Sequence, residues 1–92
     1  MPLSKSVVFK SVLKKGNRFQ VPKLVRSQQK LNTSEVLKVT VSVVGLMQAH
    51  ETFLAPIHRD GRIVVPQLTI DLMRHEKPNL EGYAVEVTLQ PP

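Results

Sequence analysis

The chain contains no cysteine among its 92 residues. Disulfides, thiol nucleophiles and thiolate metal sites are therefore excluded. Aromatic residues make up only 4%, as three phenylalanines and one tyrosine with no tryptophan. The interior must be filled by valine, leucine and isoleucine, and the valine excess favours strands. No apolar run approaches the ~18–20 residues needed for a membrane-spanning helix, and nothing resembles a secretory leader. The expectation is a cytoplasmic protein without a membrane partner. Glycine-rich phosphate loops are also missing, with neither G-x-G-x-x-G nor a P-loop present. His50, His58 and His75 lack ligand-like spacing, so no metal or other cofactor is expected. Asp60 is accounted for by a turn and Asp71 by a solvated helix face, which leaves no acid–base pair. The chain reads as a non-enzyme.

What is present is a repeat. Sliding the sequence by 44 residues without gaps aligns Phe9 with Phe53, Arg18 with Arg62 and Val21-Pro22 with Val65-Pro66. Leu24 then matches Leu68, Val41 matches Val85 and Val43 matches Val87. The first strand of each copy alternates, which sends Phe9, Ser11 and Leu13, or Phe53, Ala55 and Ile57, to one face. Glu51 interrupts that series opposite Val7. Two-residue turns are expected at Gly16-Asn17 and Asp60-Gly61. Second strands follow at Arg18–Val21 and Arg62–Val65. Pro22 and Pro66 open short helices over Pro22–Lys30 and Pro66–Arg74. The expected apolar stripes are Leu24, Val25, Gln28 and Leu31 in one helix, and Leu68, Leu72 and Met73 in the other. Each copy closes on a strand, with Val39, Val41 and Val43 or Tyr83, Val85 and Val87 inward.

The order is ββαβ twice, repeat 1 over about 6–44 and repeat 2 over about 50–88, in a single domain over 1–92. Six strands with apolar inner faces predict a mostly β, pseudo-twofold closed barrel, since closure removes free edges. An open six-stranded sheet with both helices on one side is the alternative.

The segment Asp60-Gly61-Arg62-Ile63-Val64-Val65-Pro66, a short helix and Leu80-Glu81-Gly82-Tyr83-Ala84-Val85-Glu86-Val87 resemble the AbrB/MazE/SpoVT-like cradle-loop barrel superfamily. The first copy matches less well, with Asn17 at the family's glycine position. The chain is similar to internally duplicated single-chain forms, such as small archaeal RIFT-type or swapped-hairpin barrels. The resemblance implies a cradle-loop barrel completed within one chain, as a monomer or weak homodimer. It also implies DNA contact through basic residues near the hairpin, in a transcriptional regulator.

Charge follows the same division. The net charge of +6 is the sum of +8 on residues 1–46 and −2 on residues 47–92. Lys10, Lys14, Lys15, Arg18 and Lys23 cluster on the first hairpin and helix start. Carried over from the family, Arg18 and Arg62 are the phosphate contacts, with Lys14, Lys15 and Arg59 beside them. A solvated hairpin tip, rim packing, or pairing of the arginines with Glu35 or Glu81 would explain the same residues. Double-stranded DNA is the first expected partner, bound through its backbone and strongly salt dependent. A protein partner on outward Val8, Val12, Leu54 and Val64 is the second expectation. A nucleotide- or flavin-binding barrel is the third.

Overall fold

The computed structural model describes residues 5–31, 35–46 and 49–92. Its elements are β1 (Val7–Val12), β2 (Arg18–Gln20), α1 (Lys23–Gln29), β3 (Val36–Val43), β4 (His50–Pro56), β5 (Arg62–Val64), α2 (Gln67–Arg74) and β6 (Ala84–Gln90). The fold is small and mostly β, with two helices and only antiparallel pairing. One sheet has the order β1-β6-β3-β4, and β2 and β5 form a separate two-stranded ribbon. β1 passes into β2 through mutual backbone bonds of Lys14 and Arg18, and β4 into β5 through His58 N–H to the Arg62 carbonyl.

Exchanging β1 with β4, β2 with β5 and β3 with β6 leaves every strand pairing unchanged. The loops obey the same exchange. Val21 N–H donates to the Gly61 carbonyl at 2.9 Å, and Val65 N–H to the Asn17 carbonyl at 2.7 Å. Phe9 and Phe53 occupy matching places, opposite Val87 and Val39 respectively. These phenylalanines are 44 apart, whereas the valines they face are 48 apart.

The gapless alignment is therefore corrected at the last strand. Val39 corresponds to Val87 and Val41 to Leu89, so the Val41/Val85, Val43/Val87 and Val39/Tyr83 matches do not coincide in space. The inward series are Leu37, Val39, Val41 and Val43 on β3 and Val85, Val87 and Leu89 on β6, all buried. The cause is length. α2 is one residue longer than α1, and the connection from α2 to β6 spans nine residues against six between α1 and β3.

The hairpins also differ from expectation, with three-residue loops in place of two. In the second, Gly61 N–H returns to the His58 carbonyl and Gly61 has φ +86°. This is a type I turn followed by a left-handed residue, not the type I′ turn expected for Asp-Gly. In the first, Gly16 and Asn17 both have positive φ, where a type II′ turn was expected. Asparagine tolerates that conformation better than most residues, which explains how Asn17 fills the glycine position. The second strands end at Gln20 and Val64. Pro22 and Pro66 sit one position before the helices, as N-caps with ψ near 140°. Their rings fix φ for entry, and the helices begin at Lys23 and Gln67.

One core joins both sheets and α2, with Phe19, Leu37, Val39, Ile63, Met73, Val85 and Val87 at most 1% exposed. Phe9 and Phe19 meet with ring centroids 6.2 Å apart. The helices contribute unequally. α2 buries Thr69, Ile70 and Met73, whereas α1 buries none of its residues. The expected stripes need correction here as well. Leu24, Leu68 and Leu72 face outward, Val25 and Leu31 are half-buried, and only Met73 of the second stripe is buried. Glu51 is half-buried at the start of β4 and opposes Val41.

Candidate nucleic-acid interface

The β2–β5 ribbon aligns Arg18 with Val64, Phe19 with Ile63 and Gln20 with Arg62. Phe19 and Ile63 face the core, so Arg18, Gln20, Arg62 and Val64 share the opposite face by strand alternation. Lys14 joins them from the end of the first hairpin, through the bridge to Arg18. The result is an open cleft of about 250 Å³ lined by Lys14, Arg18, Phe19, Gln20, Asp60 and Arg62. Its side chains carry three positive charges and one negative.

The negative charge is not free. Asp60 Oδ1 lies 3.2 Å from Arg62 Nε as an ion pair, at an angle that makes no hydrogen bond for Nε. The same oxygen accepts the Arg62 backbone N–H at 3.3 Å. The amide of Gln20 donates to the Asp60 carbonyl across the ribbon, and Ser11 Oγ donates to the Gln20 carbonyl at 3.1 Å. Both partners of the ion pair are substantially exposed, so the pair contributes little to stability. Its consequence is electrostatic. It partly neutralises the Arg62 side of the cleft and leaves Lys14 and Arg18 with no described ion pair.

Of the residues expected from sequence, the structure thus brings together Lys14, Arg18 and Arg62. Lys15 and Arg59 are exposed in the two hairpin loops, beside but not in the cleft. Lys23 is exposed as the first residue of α1. Lys10 lies on the outer face of the four-stranded sheet, directly opposite Glu86 of β6. That acid lowers the local potential and separates Lys10 from the cationic group. The ion-pair partner that the structure gives Arg62 is Asp60. Gln20 was missed, although its place two residues beyond Arg18 on one strand puts it on the same face. The Asp-Gly pair marks a turn in the sequence, and the reach of Asp60 to Arg62 depends on the loop conformation.

A second hollow, about 630 Å³, is lined by Leu46, Arg74, His75, Glu76 and Lys77. Its arginine is occupied, since Arg74 donates to Asp71 and to the Lys77 carbonyl. Among the described residues, no group of three His, Asp or Glu side chains is arranged to hold a metal ion, and no helix is long and apolar enough to cross a membrane.

The outward apolar residues are divided by the topology. Val8 and Val12 lie on β1 and Leu54 on β4, at opposite edges of one sheet. β6 and β3 lie between the two edges, with Thr88 and Thr40 in register with Val8, and Gln90 and Lys38 in register with Leu54. Val64 belongs to the separate ribbon.

No protein-family model matches the chain, and no curated protein matches it. The fold is similar to the solution structure of PHS018 from Pyrococcus horikoshii, with a TM-score of 0.78. The likeness covers 99% of this chain and 94% of that one, at 16% sequence identity. At that identity the likeness is one of fold.

Proposed function

We propose that this protein is a non-enzymatic DNA-binding regulator, a single-chain cradle-loop barrel of the AbrB/MazE/SpoVT kind. In this reading the β2–β5 ribbon meets the phosphate backbone of duplex DNA. The observation that carries it is the convergence of Lys14, Arg18 and Arg62 on one open cleft. Three cations on a short ribbon release counterions when they meet phosphates, which favours binding to a polyanion. The ribbon itself is three residues long on each strand, or about 10 Å. The major groove is about 12 Å wide and admits a two-stranded ribbon. With no exposed tryptophan or phenylalanine on that face, base stacking has no platform, and phosphate contact dominates.

The test is a residue-by-residue NMR titration with duplex DNA at low salt. Amides of residues 10–23 shift, and Lys14→Ala combined with Arg18→Ala abolishes the shifts. Three phosphate contacts give a slope of log affinity against log salt of about −2.7. A spectrum unchanged in excess duplex at low salt overturns the proposal.

A further inference from the structure

Gly61 has φ +86° and no side chain, and the space beside it is taken by an arginine from the other repeat. A β-carbon at residue 61 would lie 2.5 Å from both Cζ and Nε of Arg26. The guanidinium is thus laid against the backbone of the second hairpin. Arg26 Nε and Arg62 Nε are both buried with no hydrogen-bond acceptor among the described residues. A buried donor without an acceptor destabilises the fold, and more so when it is charged. Arg62 Nε has the poorly angled Asp60 Oδ1 at 3.2 Å, and Arg26 Nε has no acceptor among the described residues, so acceptors are short beside this glycine.

Packing does not require a charge at Arg26. By the repeat relation, its counterpart in α2 is Ile70, which is buried at 2% exposure. Both residues donate their backbone N–H to the proline that precedes their helix, Arg26 to Pro22 and Ile70 to Pro66. An isoleucine therefore fills this place in one half, and in the other a guanidinium whose Nε has no acceptor among the described residues. The carboxylate of Asp60, in the hairpin loop, is already directed at Arg62.

We propose that Arg26 and Arg62 form a site for a single phosphate group, seated at Gly61 and adjoining the cleft. The site takes a tetrahedral oxyanion because a guanidinium presents parallel donors to two oxygens at once. Phosphate oxygens supply the missing acceptors, and the bare glycine lets Arg26 close over the backbone. The phosphate can come from a small molecule or from a nucleic-acid strand. The site stands whether or not duplex DNA enters the Lys14–Arg18 side of the cleft.

The experiment is an NMR titration of the intact chain with sodium phosphate, matched in ionic strength by sodium chloride. The amides of Gly61 and Arg62 shift saturably with phosphate and not with chloride. Arg26→Ile, which copies the residue of the other half and keeps the fold, weakens the apparent affinity roughly tenfold or more. Arg26→Lys retains the charge without the planar fork and binds at an intermediate level. A parallel titration with short duplex DNA separates the sources. Arg26-dependent shifts at Gly61 with duplex alone assign the phosphate to a polymer backbone, and shifts with inorganic phosphate assign it to a small anion. The Lys14→Ala, Arg18→Ala double variant keeps the Gly61 response, so loss of duplex binding at residues 10–23 is distinguishable from failure of this site. Absence of any saturable shift at Gly61 with both probes, or an equal response in Arg26→Ile, overturns the proposal.

Discussion

Phe19 and Ile63 stand directly opposite one another in the β2–β5 ribbon, each with at most 1% of its surface exposed. Under the exchange of the two halves each replaces the other, so they sit on the pseudo-twofold axis. On the larger sheet the corresponding pair is Thr40 and Thr88, also in register. The ribbon that carries the cleft is thus held to the core by one residue from each repeat. Ile63→Ala should cost about 2–5 kcal/mol and Phe19→Ala about 3–5. Against a typical stability of about 5–15 kcal/mol, either loss is large. Because the two side chains share one layer of packing, the double variant should depart from additivity by about 0.5–3 kcal/mol. Urea unfolding of the four-member cycle measures this, and strict additivity would show that the two sites relax independently.

Among the described residues, Asp60 is the only acid lining the cleft. The first repeat has Gly16 at the matching place, so Arg18 meets no equivalent carboxylate. Asp60→Asn keeps the shape and the backbone turn while releasing Arg62. Duplex affinity at low salt should rise several-fold, and the salt slope should steepen toward one further phosphate contact, by about 0.9. Fluorescence anisotropy at four or more salt concentrations reads both. An unchanged slope would mean that Arg62 already meets its phosphate in the presence of Asp60.

The misplacement of the last strand shows which information sequence carries and which it hides. A shift from 44 to 48 is an even number of residues, and side chains alternate with period two. Val39 and Val41 therefore stay on the inner face under either alignment, and the apolar pattern could not reveal the slip. Only the hydrogen-bond register distinguishes the two. Helix faces were hidden for a different reason. In α2, Leu68 and Leu72 are four apart and Ile70 and Met73 three apart, so two apolar rows compete. The fold turns the second row inward and buries Ile70 and Met73. Pro22 and Pro66, by contrast, mark the helix starts within one residue, because a fixed φ and a missing N–H act locally. The basic cluster was legible where strand alternation places it, at Lys14, Arg18 and Arg62. It was not legible at Lys10, whose cross-strand neighbour Glu86 is 76 residues away.

A polar ladder runs along α2 and ties it to the first hairpin. Asn17 Nδ2 donates to Gln67 Oε1 at 2.9 Å, Gln67 Nε2 to Asp71 Oδ1 at 3.0 Å, and Arg74 Nε to the same oxygen at 3.1 Å. The hydrogen bond from Gln67, followed by that from Arg74, holds the Asp71 carboxyl below its ordinary range. A group depressed in the folded state binds its proton more readily when unfolded. Its contribution is therefore complete above the unfolded value of about 3.9 and is lost as pH falls through the folded value. On acidification, the side-chain amides of Gln67 and then Asn17 should shift together with the Asp71 carboxyl. Asp71→Asn should remove the acid-side transition from both amides. Retention of that transition in the variant would assign it to another acid.

His75 follows α2 with φ 55° and ψ −118°. Lys77 N–H returns to the Arg74 carbonyl at 2.9 Å across it. These values describe the first central position of a type II′ turn, which favours glycine because a β-carbon crowds the backbone there. A residue held in so sparsely populated a region stores about 1–3 kcal/mol. Part of that gain would be offset, because glycine loses more chain entropy on folding. His75→Gly should therefore stabilise the protein by about 1 kcal/mol and raise Tm by about 4–8 °C for a domain of this size. His75→Ala keeps the β-carbon while removing the imidazole, and should leave Tm nearly unchanged. If alanine stabilised as much as glycine, the imidazole and not the backbone would be the source of strain.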